Sequence, residues 1–502
     1  MIFEKVGNIS NKEDFLEKIL VYIRLVEVIA ERDKLIIPVI ESPSDDIFSE
    51  MVDMGVIDSR EDVKQLKRIV GINYTRFISS IGFYLSNRGL YGNQLDKLNN
   101  KKRRVLQQES ISSNKPKIVD FFAGAGGLSC GFTQAGYRVC FANDFEDVCV
   151  RTYRYNHPEL PSKCVLKEDI RKIVSNIDDY VKEDIDVVVG GPPCQGFSSA
   201  NQQRIIDDPR NELYKYYIEA IKKICPKVVV MENVRGMLSV AGQVVEDYRA
   251  IKTEKDGHIY TYDVAFRLLN SMNFGVAQSR ERLIYIAVRN DISTSKQVTP
   301  EVLFKKIEDS YIHKEPYNLR DALEFIKPLD APRIKGMTET DDEKTGMKIG
   351  INTYNSSGNE YLASINQGRD LPYVFNHKAR YCSDVNYEIF KRLDQGEDST
   401  SPKIADIMPY THRNGIFKDK YFKLYADKPC RTITAHLRMD CLSHIHPYQI
   451  RSITPREAAR VQSFPDDYLF LGAYLKTYMQ IGNAVPVLMA KQIANVIKSY
   501  IV

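Results

Sequence analysis

No stretch of the 502-residue chain stays apolar for the ~18 residues that a membrane-spanning helix needs, and the richest run, Ile19 to Ile23, meets Arg24 at once. Acids at Glu4, Glu13 and Asp14, with no small-residue cleavage site behind an apolar core, argue against a signal peptide. CxxC pairs are missing. The nine cysteines are odd in number and scattered, which disfavours a disulfide framework or a zinc ribbon and leads us to expect a reducing, cytoplasmic setting. An excess of one charge is missing too: 70 Lys and Arg stand against 66 Asp and Glu, a net +4. That excludes a histone-like polycation or a long acidic tail, but not a local basic groove, because steering depends on where the charges sit. Tryptophan is absent beside 30 tyrosines, a contrast that carries no functional reading, and no internal repeat is visible.

What is present is a globular composition, 43% hydrophobic and 27% charged, on a chain long enough for two to four domains. Residues 1–115 read as a separate helical extension. Ser10 with Glu13 forms a capping-box pattern ahead of Phe15, Leu16, Ile19, Leu20, Ile23 and Val26, which share one helical face. A second stripe follows Ser59 and Asp62, and a third, Tyr74 to Leu85, follows Gly71. Helix, glycine break and helix suit a helix-turn-helix and suit any small helical bundle equally. The cations Lys101 to Arg104 read as a solvated linker.

From Lys117 the texture changes to short β-rich runs alternating with helical stretches. Strands are expected at 118–122, 138–142, 186–189, 227–230 and 283–288, with helices at 131–135 and 212–224. That alternation predicts an α/β fold built on a doubly wound, mostly parallel sheet. Residues 291 to about 430 lose it and become polar, tyrosine-rich and irregular, as either disorder or a separate recognition module would. Helical patterns return at 455–462 and 485–497.

Three strand ends carry chemistry. Asp120-Phe-Phe-Ala-Gly-Ala-Gly-Gly-Leu128 follows the first strand, and its glycines let backbone approach a ligand at a strand-to-helix turn. Asp144, at the end of the next strand, is placed to hold a ribose diol. Alone, this motif fits any nucleoside cofactor, although GxGG spacing leans away from a dinucleotide. Gly190-Gly-Pro-Pro-Cys-Gln-Gly-Phe-Ser198 follows another strand, and its two prolines restrict the approach to Cys194, a nucleophile at a sheet edge. Met231-Glu232-Asn233-Val234 then puts a carboxylate at the end of the following strand.

In this order the three motifs resemble the cytosine-C5 DNA methyltransferase family, of the prokaryotic restriction–modification type. The resemblance extends to Lys167-Glu-Asp-Ile170, Gln278-Ser-Arg-Glu-Arg282, Arg451 to Pro465 and Gln480-Ile-Gly-Asn-Ala-Val-Pro486. It implies a methyltransferase domain at 116–290, a target-recognition region at 291–430 and C-terminal blocks at 431–502 completing the catalytic domain. It implies S-adenosylmethionine as cofactor, with Phe121, Ala123, Gly124, Gly126, Gly127 and Leu128 around its methionine part. Asp144 would take the ribose, Phe145 the adenine face, and Asp169 and Ile170 the adenine edge and plane. Pro192, Asn483 and Val485 would close the site. Cys194 would add to C6 of a flipped-out cytosine, Glu232 would meet its N3 edge, and Arg280 and Arg282 would lie near its O2 and the phosphates.

Within the recognition region Arg380, Lys391, Arg392, His412 and Arg413 suit phosphate and base contact. Double-stranded DNA is the expected partner of a monomer, with a cognate restriction endonuclease acting separately. Cys441, His444 and His446 could be weighed as a zinc set, but His446-Pro447 also fits the family's stretch before Arg451, and no metal is expected. Two alternatives remain. One is the tRNA-methylating branch, whose Cys-Phe-Thr motif is not matched here. The other is an idle DNA-binding regulator, which would require a broken motif.

Overall fold

The computed structural model describes residues 3–88, 94–193, 212–311, 315–354, 358–409 and 420–501. At its centre lies one eight-stranded sheet. The strands are β1 (Lys117–Phe121), β2 (Arg138–Asp144), β3 (Val165–Lys167), β4 (Val187–Gly190), β5 (Val228–Asn233), β6 (Lys252–Lys255), β7 (His258–Asn270) and β8 (Glu281–Arg289). Their spatial order is β3-β2-β1-β4-β5-β8-β7-β6. The first five run parallel, and β8, β7 and β6 extend the sheet antiparallel. The α/β, mostly parallel architecture is therefore as the alternation predicts.

Val187, Val188 and Val189 on β4, and Val228 to Met231 on β5, are fully buried, as strands covered by helices on both faces must be. Chain order reverses between β1 and β4, which makes the crevice at their carboxyl ends a ligand position. At the far edge Asp256 and Gly257, both at positive φ, close the β6–β7 hairpin in two residues.

The C-terminal stretch completes this core. Helix Pro455–Val461, capped by Thr454 with a reciprocal bond from Glu457, is buried along its whole length. Its charges are matched internally: Arg451 forks onto Glu457, and Arg460 onto Asp466. Helix Val487–Ile501 packs its apolar face into the same cluster as helix Gly127–Gln134.

The N-terminal segment is helical as expected but not separate. Its helices Lys12–Asp33, Asp45–Met54, Asp62–Val70 and Tyr74–Ser86 share one core with Tyr155, with Leu469 and Leu471, and with Ile349, Tyr373 and Phe375. Helix Tyr74–Ser86, which a helix-turn-helix would lay in a DNA groove, instead buries Tyr74 and the eight consecutive residues from Phe77 to Tyr84. Its exposed residues are Thr75, Arg76 and Ser86, and Arg76 pairs with Glu27. The cationic stretch is likewise a helix, Asn100–Ser112, and no solvated linker. Lys101 pairs with Asp53, Lys102 with Asp96, and buried Arg103 donates to the carbonyl of Arg154.

Between residues 291 and 430 a two-stranded sheet, β9 (Gly346–Ile351) and β10 (Tyr373–Lys378), runs antiparallel. Leu319, Ala322, Tyr361, Leu362 and Ile365 from this region join the central core, so part of the irregular stretch is ordered against the sheet.

Candidate active site

The strand ends named by the sequence converge because register sets them at one level. Phe121 pairs with Asn143 and Gly190, and Gly190 pairs with Met231. Neighbouring strands stand about 4.8 Å apart, so the loops after β1, β2, β4 and β5 line one crevice.

On the cofactor side the chain leaves β1 through Phe122, held at φ +55°, and Gly124 at φ +54°. A side chain at Gly124 would meet open space, so glycine there serves the backbone conformation and leaves room for a ligand. Asp144 accepts from the Gly124 N–H and the Glu146 N–H, both at 2.8 Å. Burial raises its carboxyl above the usual range while those two bonds oppose the rise. Beside it Phe145 is 72% exposed, an apolar ring that a flat aromatic ligand would cover.

Asp169 caps helix Ile170–Ser175 through the Arg171 N–H and pairs with the Arg171 guanidinium, and Ile170 is buried behind it. The open glycine turn, the anchored carboxylate and the bare ring are features that a nucleoside cofactor with an amino-acid tail fits. Phe121 differs from the expectation: its ring is buried against Phe141 and Tyr217, so only its backbone faces the crevice. Leu128 packs mostly into the core, and Ala123 is held by a backbone bond to Asn143.

The C-terminal block forms the opposite wall. A Cβ on Gly127 would stand 2.5 Å from the Val485 carbonyl and 3.0 Å from Ala484 Cβ, so loop and block touch backbone to backbone. Asn483, next to them, is exposed. Tyr468, which no sequence signal singled out, donates to the Ala125 carbonyl at 2.5 Å and pins the loop from below. Beneath the same loop, Asp120 is fully buried and accepts from Ser129, which Tyr153 bonds in turn. Burial pushes that carboxyl up to about 7.

On the substrate side Glu232 and Arg282 are brought together. Arg282 Nε lies 2.7 Å from Glu232 Oε1, with side-chain exposures of 13% and 12%. The N–H is not aligned along that line, so this is an ion pair rather than a hydrogen bond and the carboxylate keeps acceptor capacity. Glu232 Oε2 lies against Gly191, where a Cβ would stand 3.0 Å away. Asn233 donates to the Pro192 carbonyl at 3.0 Å, which fixes the loop just before Cys194. Cys194 itself lies outside the described residues, as do His412 and Arg413.

Arg280 is placed elsewhere than expected. It is fully buried and donates to the carbonyls of Ile433, Gly482 and Ala484, stapling the C-terminal block to β8 rather than facing a substrate. Gln278 assists: it accepts from the Ile433 N–H and donates to Gln462, whose own amide reaches the Ile481 and Ala484 carbonyls. The Gln278–Arg282 motif thus has one half, Gln278 and Arg280, turned into the core, and another, Arg282, paired with Glu232.

Of the cations expected to suit DNA contact, Arg380 is committed to the carbonyls of Leu437, Arg438 and Met439, and Arg392 to Glu388 and Asp406. Lys391 is exposed. His446 is buried with its Nδ1 accepting from the Tyr448 and Gln449 N–H groups.

Comparison with known proteins identifies the family. The family model of the C-5 cytosine-specific DNA methylases matches residues 116–499. The type II methyltransferase M.DdeI of Desulfomicrobium norvegicum is 32% identical over 400 residues, covering 76% of this chain and 88% of the relative. M.AgeI of Thalassovita gelatinovora, also a type II methyltransferase, is 31% identical over 432 residues, covering 76% and 99%. Among solved structures, a putative DNA modification methyltransferase encoded within an E. coli prophage superposes with a TM-score of 0.57 at 24% identity, covering 77% of this chain and 99% of that one. That last likeness speaks for the fold.

Proposed function

The chain belongs to the C-5 cytosine-specific DNA methylases, and on that premise we propose that it methylates C5 of a flipped-out cytosine in one DNA sequence through a covalent bond from Cys194 to C6. The observation that carries this reading is the Glu232–Arg282 pair, set at the crevice beside the loop that leads to Cys194.

Cytosine C5 is too poor a nucleophile to attack a methyl group unaided. Addition of the Cys194 thiolate at C6 makes C5 electron-rich, which is covalent catalysis. Glu232 meets N3 and the amino edge and, after taking a proton from solvent, delivers it to N3 as negative charge builds there. Arg282 holds Glu232 in place and offers its remaining guanidinium donors to the cytosine O2. S-adenosylmethionine, when bound, supplies the electrophilic methyl group. Asp144 would orient its ribose, Phe145 would cover its adenine, and the 121–128 loop with Val485 would enclose its methionine part. C5 then loses its proton to water as base, the freed electron pair expels the Cys194 thiolate from C6, and N3 returns its proton to Glu232. The target leaves the duplex because C6 is inaccessible while stacked.

The family's restriction–modification type supports a protective role beside a separate cognate endonuclease, with the methyltransferase acting as a monomer on DNA. Bisulfite sequencing of DNA from a methylation-deficient host expressing the chain should show protected cytosines at one short recurring sequence. Complete conversion of that DNA would contradict the reading, and protection confined to tRNA would move the substrate to RNA.

A further inference from the structure

We propose that the N-terminal helical segment, which lies before the residues matched by the family model, is a positioning element for DNA engagement. It holds the β9–β10 hairpin of the recognition region, with Glu17 as its ionic hub. The inference rests on the DNA-methyltransferase reading.

A two-stranded hairpin is marginal by itself and needs a further layer on its apolar face. Here Tyr373 pairs with Ile351 and Phe375 with Ile349, which puts four apolar side chains on one face. That face packs into the core built by Phe15, Ile19, Val26 and their neighbours on the N-terminal helices. The exposed edge of β9 is covered by the same segment: Arg24 donates from Nε to the Ile349 carbonyl at 3.1 Å and from Nη2 toward Met347 Sδ. The other strand, β10, is tied to the C-terminal block through Arg456 to the Phe375 carbonyl and Asn376 to Phe470. The hairpin is therefore held between two bodies, and the N-terminal helix Lys12–Asp33 is one of them.

Glu17 joins three segments. One carboxylate oxygen accepts from Lys348 on β9, and the other from Arg151 on helix Asp147–Asn156, which begins three residues after Asp144. Arg151 pairs in addition with Asp14 at 2.7 Å. These charges line a polar cavity of about 430 Å³ where the N-terminal helix, the hairpin and the C-terminal block meet. The two cations hold the Glu17 carboxyl below the usual range even though burial pulls the other way. Two residues past β10, Arg380 grips the carbonyls of Leu437 to Met439. The chain just before that loop is bonded to Ser279 and Arg280 beside the substrate crevice. The pose of the hairpin is thus passed to the cleft rim through backbone contacts, whereas Asp144 and the cofactor loop keep their own bonds.

Glu17→Lys in the full-length protein places like charges opposite Lys348 and Arg151. Steady-state methylation of plasmid DNA from a methylation-deficient host should show KM for DNA raised about five-fold, with kcat and S-adenosylmethionine affinity within two-fold of wild type. Adding Lys348→Glu restores an ion pair of reversed polarity across the same gap and should return KM to within about two-fold. If Glu17→Lys does not yield folded protein, Arg24→Met, which keeps the stem but loses the edge bonds, should raise KM for DNA about three-fold by itself. An unchanged KM in the folded variant would overturn the inference, as would equal losses in kcat and cofactor binding or failure of the charge swap to rescue. If wild-type protein leaves the plasmid unmethylated, the methyltransferase reading itself fails, a result distinct from all of these.

Discussion

Gly127→Ala tests whether the cofactor site is closed by direct contact between the 121–128 loop and the C-terminal block. The new methyl group would stand 2.5 Å from the Val485 carbonyl, 3.0 Å from Ala484 Cβ and 3.2 Å from the Val485 nitrogen. Two of these three atoms are backbone, anchored by Arg280 and Gln462 at the Ala484 carbonyl, so the wall cannot yield as a side chain could. Overpacking of one methyl group costs about 1–3 kcal/mol, which the loop can relieve only by lifting away from Val485. Since bound cofactor needs both walls, that strain should appear as S-adenosylmethionine affinity about 5- to 150-fold weaker.

Isothermal titration reads this directly, with circular dichroism to verify the fold. Gly257→Ala is the control, because its φ of +73° makes alanine strained but its Cβ meets nothing, in a hairpin remote from the crevice. It should lower stability by about 1 kcal/mol and leave cofactor binding unchanged. Folded Gly127→Ala protein that binds within two-fold of wild type would refute the reasoning.

Three further outcomes are expected. Glu232→Gln should bind S-adenosylmethionine normally yet methylate DNA about 100-fold more slowly in single-turnover assays, since an amide cannot deliver the proton. Asp144→Asn should weaken cofactor binding by about ten-fold in titration, because an amide can satisfy only one of the two N–H groups now bound to the carboxylate. Stability should fall with pH below about 6.5. Burial holds His377 at about 4 and His446 at about 3, while the unfolded chain protonates both near 6.5, so acid favours unfolding by up to about 1.4 kcal/mol per pH unit for each. Urea melts of wild type and His377→Gln between pH 7 and 5 should show the shallower slope in the variant.

The catalytic half of the fold was legible because it repeats a simple pattern. Short apolar runs bounded by Gly, Pro or Asp mark β1, β2, β4 and β5, with valine triplets in the last two, and the residues just past them are the ones that line the crevice. β7 was not visible, since its outer half is exposed and its polar and apolar residues mix without a continuous run. The β9–β10 hairpin was hidden for another reason. Ile349 and Phe375 form no local pattern, and their burial comes from a helix more than 300 residues away in sequence. Arg103, Arg280, Arg451, Arg456 and Arg460 are all fully buried, whereas a sequence reader places arginine at the surface or at a substrate. Arg280 and Arg456 reach carbonyls of distant segments, whereas Arg451 and Arg460 fork onto acids six residues on, so Arg280 looked catalytic by motif and proves to be a staple. Gln278, within the same motif, shows that short patterns locate a site without assigning its parts.

The central claim is the covalent step. DNA carrying 5-fluorocytosine at the methylated position allows attack and methyl transfer but blocks proton removal from C5, so the protein should remain bound to the DNA. Incubated with S-adenosylmethionine, digested and analysed by mass spectrometry, wild-type protein should yield a peptide joined to the base through Cys194, and Cys194→Ser should yield none. An adduct at any other residue, or an active enzyme that forms no adduct, would contradict the account.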